Sequence, residues 1–452
     1  AALDTDTAYR LQRSGRQWSG SGEARFSLSP NPETTLNGRD PAWSWEGETL
    51  DFALASARLA PLGLRADSAR ANAAMTATDG FSGQISAAGL RIEPWPGELR
   101  HYDVNGTWSW RDGVLEAAGG GSGSGLPALN WQLETAAASG SIDIRVDDSA
   151  SAIQSSLARY AAVVAPDLEV LAGRLQGRYQ ARWQDDRQTT EISMEAGAVD
   201  ATLGGMEIRG LDVEVNNLDN GVERFGVVLS APTLKLAAGT VAEDLDVALR
   251  WLPPALHIDR AGTRLFSGEI GVRPFHFDTN DESVVIHAQV DGLSLERVMA
   301  LMELETTELT GQVAGPVRIV YHRDRGVEIN RGELHSVDAG TLRFRMSGDS
   351  RMEAEVDNIA LRALADFRYD ELSASVLYMP DGEYRISARI LGSNPEVLDG
   401  HPIAFNPTIE GRLPALFRAF FFTGDFNQAI IQRLQQERGT STPDGDSPFE
   451  GQ

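Results

Sequence analysis

The side chains that could perform acid–base or metal chemistry are scattered along this chain of 452 residues. Seven histidines occur, none in an HExxH or HxH arrangement, although His276 and His287 are spaced so that they could meet across two strands. The acid pairs Asp147-Asp148 and Asp185-Asp186 suggest glycosidase carboxylates, which need opposing positions across a cleft. Adjacent acids in a strand point to opposite faces, and these pairs adjoin turn residues, so a role in turns is favoured.

Motifs for nucleophilic catalysis and nucleotide binding are absent from the sequence. No GxSxG stands between a strand and a helix, no GxGxxG opens a helix, and the chain has no cysteine. The formal net charge of −25 leaves no basic surface that could release counterions from a nucleic acid. We therefore predict a protein that is not an enzyme, that uses no cofactor or metal, and that has no nucleic-acid partner.

Alternation of apolar and polar residues dominates the chain and predicts strands with one apolar face. Two such runs, at 372–378 and 384–390, flank Pro380-Asp381-Gly382, which is typical of a hairpin turn. Helical stripes are few and short, and they occur at 153–164, 295–302, 413–421 and 426–434. The predicted fold class is mainly β: an elongated, coiled antiparallel sheet that forms a half-pipe, with a few short capping helices.

The sequence predicts four regions. Residues 168–183 align without gaps with residues 306–321, and a helical stripe precedes each segment, which indicates an internal repeat. The regions are an N-terminal β-groove segment at 1–150 with a flexible Gly/Ser loop at 119–125, a first helix-plus-sheet repeat at 151–290, a second repeat at 291–438 with a C-terminal edge strand and helices, and a disordered acidic tail at 439–452.

A curled sheet whose apolar face is not filled by helices leaves a trough that acyl chains can occupy. Roughly 25 strands about 4.8 Å apart would make a trough on the order of 120 Å long, which suits a conduit better than a pocket. By strand parity, the residues expected to line the lipid groove are Val284, Ile286, Val317, Ile319, Tyr321, Leu342, Phe344, Met346, Leu372, Val376, Tyr378, Tyr384, Ile386 and Ile390.

The last predicted strand has the character of a sheet edge. Pro407 cannot donate to a strand ladder, so this strand is expected to be bulged or to lie at an edge. An unpaired edge can accept a strand from a partner, and Ile403, Phe405 and Ile409 are the residues predicted to do so. The helical stripe that follows predicts a capping helix formed by Leu413, Leu416, Phe417, Phe420 and Phe421.

The C-terminal part of the chain resembles the YdbH family of AsmA-like periplasmic proteins, relatives of TamB and YhdP. The segments at 265–278, 290–319, 327–344 and 365–420 carry the resemblance, with an LSL helix, TG…G strands and a GxPI motif in order. It implies bridge-like transport of phospholipid between the inner and outer membranes, in the periplasm of a Gram-negative bacterium. It also implies a small outer-membrane lipoprotein that binds by β-strand addition at the C-terminal end, and an N-terminal inner-membrane anchor expected to lie outside this chain.

Two other functions stay open on the sequence. The chain could be a structural scaffold that docks partner β-strands during envelope assembly, since an open sheet end offers unpaired backbone groups. It could also be a glycan-binding β-solenoid, because Trp43 with Trp45 and Trp108 with Trp110 each share a strand face and could stack on sugars.

Overall fold

The computed structural model describes residues 8–412, apart from 15–16, 24, 32–33, 40–41, 47–48, 60–63, 76–79, 93–101, 124–126, 137–138, 149–167, 186, 204–205, 221–223, 237–239, 279, 302–306 and 345–358. Several predictions fall outside the described residues. They are the helices at 153–164, 413–421 and 426–434, the groove residue Met346, the capping-helix residues Leu413, Leu416, Phe417, Phe420 and Phe421, and the tail at 439–452.

The described residues are almost entirely β-structure, and all the strand pairs described below are antiparallel. The chain divides into unit 1 (residues 1–163, 169–200 and 211–227) and unit 2 (164–168, 201–210 and 228–452). The predicted fold class, a long antiparallel sheet with few short helices, is confirmed in both units.

Unit 1 is built mainly on the first fifteen strands. They are β1 (Ala8–Ser14), β2 (Gln17–Glu23), β3 (Arg25–Asn31), β4 (Thr34–Arg39), β5 (Ala42–Glu46), β6 (Thr49–Leu54), β7 (Ser56–Leu59), β8 (Leu64–Ala66), β9 (Ser68–Met75), β10 (Phe81–Ile92), β11 (Tyr102–Arg111), β12 (Val114–Ser122), β13 (Leu129–Thr135), β14 (Ser139–Asp148) and β15 (Leu168–Gln184). Strands β16 (Arg187–Leu203), β17 (Met206–Asn217) and β18 (Phe225–Lys235) have residues in both units.

The described part of unit 2 contains the remaining strands and two short helices. The strands are β19 (Val241–Leu252), β20 (Ala255–Leu265), β21 (Gly268–Val272), β22 (Phe275–Asp278), β23 (Ser283–Ser294), β24 (Thr307–Leu309), β25 (Gln312–His322), β26 (Gly326–Ser336), β27 (Gly340–Phe344), β28 (Phe367–Tyr378), β29 (Glu383–Ser393), β30 (Ile403–Phe405) and β31 (Thr408–Arg412). The helices are α1 (Leu295–Leu301) and α2 (Ile359–Leu364), and a 3-10 turn spans Leu398–Gly400. In the part of the chain that the structure describes, no helix is long and apolar enough to cross a bilayer.

The sheet of unit 2 is a meander with interrupted strands, two of which break at a proline. β20 pairs with both β21 and β22, and β29 pairs with both β30 and β31. Pro274 stands at the first break and Pro407 at the second, and neither residue can donate a ladder hydrogen bond. Residues 265–277 therefore do not form one strand but the end of β20, a turn, and two short strands.

Local sequence signals account for the turns and helix starts of unit 2. The predicted Pro380-Asp381-Gly382 hairpin is confirmed: the Met379 N–H donates to the Glu383 carbonyl at 2.8 Å, and Gly382 has a φ of 93°. The predicted helix at 295–302 is confirmed as α1, whose first turn is capped by the Ser294 hydroxyl accepting from the Arg297 N–H at 3.4 Å.

The structure differs from the sequence prediction at the glycine-rich segment. Residues 119–122 of the expected flexible loop form the end of β12 and pair with β11 and β13. Gly119 lies directly opposite Gly106 and Trp131, and a Cβ at Gly119 would collide with the backbone of Asn105. Glycine serves close packing here, whereas composition alone favours a linker.

Candidate binding face of the sheet

Strand register in unit 2 aligns an unbroken line of apolar residues across nine strands. Each member lies directly opposite the next in an antiparallel pair, which puts all of them on one face of the sheet. We call this line the central row of unit 2; it runs Val247, Ala261, Val272, Ala288, Val317, Gly332, Val376, Ile386, Ile409. Eight strand spacings of about 4.8 Å give the row a length of roughly 38 Å.

The other face of the same strands is polar. Ser375, Ser387 and Thr408 lie opposite one another on β28, β29 and β31, and all three are exposed. On the same face, the Arg385 guanidinium donates to the Glu410 carboxylate at 2.6 Å across β29 and β31. The two faces therefore differ sharply in polarity, as the alternating sequence predicts.

Most of the predicted groove residues are brought together on the apolar face. Val317, Val376 and Ile386 belong to the central row itself. A neighbouring line pairs Ile286 with Ile319 and Tyr378 with Tyr384. The remaining paired positions are Val284 opposite Tyr321, Leu372 opposite Ile390, Leu342 opposite Phe367, and Phe344 opposite Thr307.

The burial of these residues changes along the strands. Leu342, Leu372 and Ile390 are buried together with Val313, Phe367 and Tyr369 in a core cluster that also packs against Leu295 of α1, Leu364 of α2 and Phe405 of β30. In contrast, Val284, Ile286, Val317, Ile319, Tyr321, Phe344, Val376, Tyr384 and Ile386 are half-buried. Tyr378 is buried. The apolar face thus has a filled side and a side that keeps partial access to solvent.

Specific hydrogen bonds hold the filled side closed. The buried Tyr369 hydroxyl donates to the Thr310 carbonyl at 2.6 Å, and burial raises the pKa of Tyr369. The Asn394 side-chain amide donates to the carbonyls of Arg362 and Ala363 at 3.2 and 3.1 Å, so it satisfies the end of α2. These contacts fix α2 and the β24–β27 pair against the sheet.

The predicted partner-strand residues lie on the last strands of the described sheet. Ile403 and Phe405 lie on β30, and Ile409 lies on β31. Both strands pair with the same side of β29. Among the described residues, no strand pairs with the outer side of β30 or β31. Pro407 lies between β30 and β31, and its carbonyl accepts a hydrogen bond from the Ala388 N–H at 2.9 Å.

Unit 1 carries a second apolar line that sequence reasoning did not single out. It crosses eight strands in direct register and runs Phe52, Ala71, Ile85, Gly106, Gly119, Trp131, Ile144, Tyr179. Over β11–β15 this face is a core of Tyr102, Leu129, Ile142, Ile144 and Ala181, with Trp131 and Trp183 packed against it. The signal in the sequence was the alternation of Trp131, Leu133, Ile142 and Ile144 around a turn.

Charged side chains of the polar face form ion pairs between neighbouring strands. The Arg178 guanidinium donates to the Asp143 carboxylate at 2.6 Å and, with Arg145, holds the pKa of Asp143 below its ordinary value. Arg250 lowers the pKa of Asp259 in the same way, and Arg260 lowers that of Asp246. These pairs tie strands together and face away from the apolar rows.

The residues considered for metal chemistry do not converge. His276 stacks on His257, directly opposite on β20, with ring centroids 5.2 Å apart, and does not meet His287 on β23. Within the described ranges, no three histidine or acidic side chains are grouped so that they could hold a metal ion.

Each unit thus presents antiparallel strands that are apolar on one face and polar on the other. This arrangement defines a protein that offers an extended apolar surface. The chain belongs to the YdbH-like family, described as intermembrane phospholipid transport protein YdbH, whose family model matches residues 5–435. None of the curated proteins compared with the chain matches it. The family resemblance of the C-terminal part is confirmed and extends over most of the chain, and family membership assigns it to phospholipid transport in the cell envelope.

Proposed function

We propose that the apolar face of the sheet is the path along which this protein carries phospholipid, and that the protein acts as a bridge between the inner and outer membranes in the Gram-negative periplasm. The central row of unit 2 is the observation that carries the proposal. At roughly 38 Å, the row is longer than the about 30 Å hydrocarbon core of a whole bilayer. A surface of this length suits acyl chains that move along it.

The chemistry of the row favours acyl chains over other ligands. Its side chains are Val, Ala, Gly and Ile, which offer no donor, acceptor or nucleophile. Contact with such a surface favours a methylene chain by roughly 0.8 kcal/mol for each CH₂ removed from water. Because this gain does not depend on charge, the net charge of −25 does not oppose it. The proposed role is transport without catalysis and without a cofactor.

The half-buried side chains are the part of the face that is open to a lipid. Val317, Val376 and Ile386 retain partial exposure, whereas Leu372 and Ile390 are already covered by the chain's own core. The groove-lining assignment is therefore strongest for the half-buried residues. Phe344 is half-buried as well, and it lies on the same face of β27 as Leu342.

The proposed bridge would bind a partner at one end and be attached to a membrane at the other. The outer side of β30 and β31 is the surface we assign to strand addition by a small outer-membrane lipoprotein, because Ile403, Phe405 and Ile409 would continue the apolar face into an added strand. Attachment to the inner membrane would come from an N-terminal anchor. The scaffold function would use the same edge without lipid.

The proposal is tested by lipid binding and transfer. The purified chain is incubated with vesicles of phosphatidylethanolamine and phosphatidylglycerol, analysed by native mass spectrometry, and assayed for transfer of a fluorescent phospholipid between vesicles. We expect bound phospholipid and accelerated transfer. Val376→Asp should remove both because it buries an unpaired carboxylate in the path, whereas Ser375→Asp, one residue away on the polar face, should retain both.

A folded chain that binds no phospholipid from either vesicle type would overturn the proposal. Equal loss of transfer in Val376→Asp and Ser375→Asp would overturn the assignment of the path to the apolar face. Strand capture by the β30–β31 edge without any lipid binding would favour the scaffold function instead.

A further inference from the structure

The two margins of the apolar face of unit 2, meaning the two ends of its strands, are built differently. At one end lie two buried clusters, the first around Phe367, Tyr369, Leu372 and Ile390, and the second formed by Met206, Leu236, Ala242 and Leu265. We call this end the closed margin. Its buried side chains are packed against one another and, in the first cluster, against Leu295 of α1 and Leu364 of α2, so a hydrated group would have to displace them.

The opposite ends of the same strands, which we call the open margin, carry aromatic residues beside the hairpin turns. Trp251 precedes the β19–β20 turn, Phe277 lies near the end of β22, Tyr321 precedes the β25–β26 turn, and Tyr384 follows the β28–β29 turn. All four are half-buried. The register places them at the same end: Trp251 pairs with Leu256, which pairs with Phe277, and Tyr384 pairs with Tyr378.

We infer that phospholipids lie across this face in one orientation, with the headgroup and glycerol at the open margin and the acyl chains directed toward the closed margin. This inference rests on the proposed function. A phosphate and its headgroup must stay hydrated, and Trp251, Phe277, Tyr321 and Tyr384 at the open margin keep partial solvent access, whereas the closed-margin clusters are buried. Half-buried Trp and Tyr side chains are the residues found where an apolar phase meets water, since their rings are apolar and their tips are polar.

The interior of the path supports the same orientation. Between the two margins the apolar face carries smaller side chains. Ala374 lies opposite Ala388, and Gly315 lies opposite Val290. Ala374 and Ala388 are half-buried and pack against the edge of the closed-margin cluster, so they lie where the covered part of the face ends. At the open margin, the Tyr384 ring covers Gly411, where an added Cβ would lie 2.7 Å from the Tyr384 hydroxyl. The tyrosine therefore lies along the rim.

The absence of cysteine makes a direct test possible on the whole chain. Tyr384→Cys and Ala388→Cys place single thiols on the same face of β29, four residues or about 13 Å apart. Each is labelled with bimane and loaded with phosphatidylcholine that carries a nitroxide either on the headgroup or near the end of an acyl chain. We expect the headgroup nitroxide to quench bimane at 384 at least about twofold more than at 388, and the acyl nitroxide to show the reverse order.

Ser387→Cys on the polar face is the matched control, and neither lipid should quench its label. A second pair on β25, Tyr321→Cys and Val317→Cys, repeats the test if a label at β29 prevents folding. Equal or reversed quenching at the two margins, with lipid bound, would overturn the orientation and leave the proposed function intact. No quenching at any position on the apolar face, with no lipid bound, would overturn both.

Discussion

Both units have an apolar sheet face, but the two faces are built from different residues. In unit 1, over β11–β15, tryptophans lie over glycines: a Cβ at Gly106 would meet the Trp131 ring at 2.5 Å. In unit 2, over β23–β31, the central row is aliphatic, and alanines lie beside it. Over β11–β15 the first face carries half-buried tryptophans packed against a buried core, whereas the second face carries half-buried aliphatic side chains. Register sets which residues share a face, and side-chain size sets whether that face can hold anything else.

The largest expected effect on lipid transfer comes from introducing into unit 2 a tryptophan, the residue type that lies over glycines in unit 1. Ala388→Trp places an indole beside the central row, where it competes with an acyl chain. Each methylene displaced forfeits roughly 0.8 kcal/mol, so losing contact with two lowers affinity by about tenfold. We expect phospholipid transfer between vesicles to fall at least about tenfold. Ser387→Trp, on the polar face, is the control, and a similar loss in both variants would contradict the comparison.

The second prediction concerns how tightly unit 1 is filled. Gly106→Ala directs a Cβ at the Trp131 ring and the Ala118 carbonyl, so we expect it to lower the free energy of unfolding by about 1–3 kcal/mol. Gly271→Ala in unit 2 is the matched control, because a Cβ there meets no atom within 4 Å. Urea denaturation measures both variants. Equal stability of the two would mean that the Trp131 ring moves away at little cost.

The third prediction tests the closed margin of unit 2. Tyr369→Phe removes the hydrogen bond to the Thr310 carbonyl and leaves that half-buried acceptor without this donor, which should lower stability by about 1–2 kcal/mol. Lipid transfer should change far less than in Ala388→Trp, since the ring remains in place. Thermal unfolding and the transfer assay measure the two effects. A loss of transfer as large as that of Ala388→Trp would show that the closed margin opens during transport.

The smallest expected effect concerns the polar face, where the two units are alike. The pKa of Asp143 is lowered by Arg178, so this carboxyl stabilises the fold above its ordinary pKa of about 3.9, and the contribution is lost as pH falls through the lowered value. Asp143→Asn should therefore flatten the fall in stability below about pH 4. Denaturation at pH 5 and pH 3 checks this, and an unchanged slope would count against the ion pair.

Strand parity was the part of the site that could be predicted from sequence. Alternation in 372–378 and 384–390, together with the Pro-Asp-Gly turn between them, placed Val376 and Ile386 on one face, and the register of β28 and β29 pairs them directly. Parity could not distinguish them from Leu372 and Ile390, which share that face but are buried. They are buried against Phe367, Phe405 and Leu364 of α2, which are tertiary contacts that strand alternation does not encode.

Other differences have equally local causes. Composition favours a linker at the run of glycines that begins at Gly119, but close approach of β11 and β13 makes glycine a strand residue there. His276 meets His257 and not His287, because the break at Pro274 leaves β22 paired with β20. The periodicity of one segment does not show how closely a neighbouring strand approaches it. It also does not show where strand pairing is interrupted.

Site-resolved labelling tests the central claim most directly. A phospholipid with a diazirine near the end of one acyl chain is loaded onto the whole chain and photolysed, and the modified residues are mapped by peptide mass spectrometry. We expect modification at the half-buried row positions Val317, Val376 and Ile386. Modification of Ser375 and Ser387 at equal yield, or of neither face, would contradict a lipid path along the apolar side of the sheet.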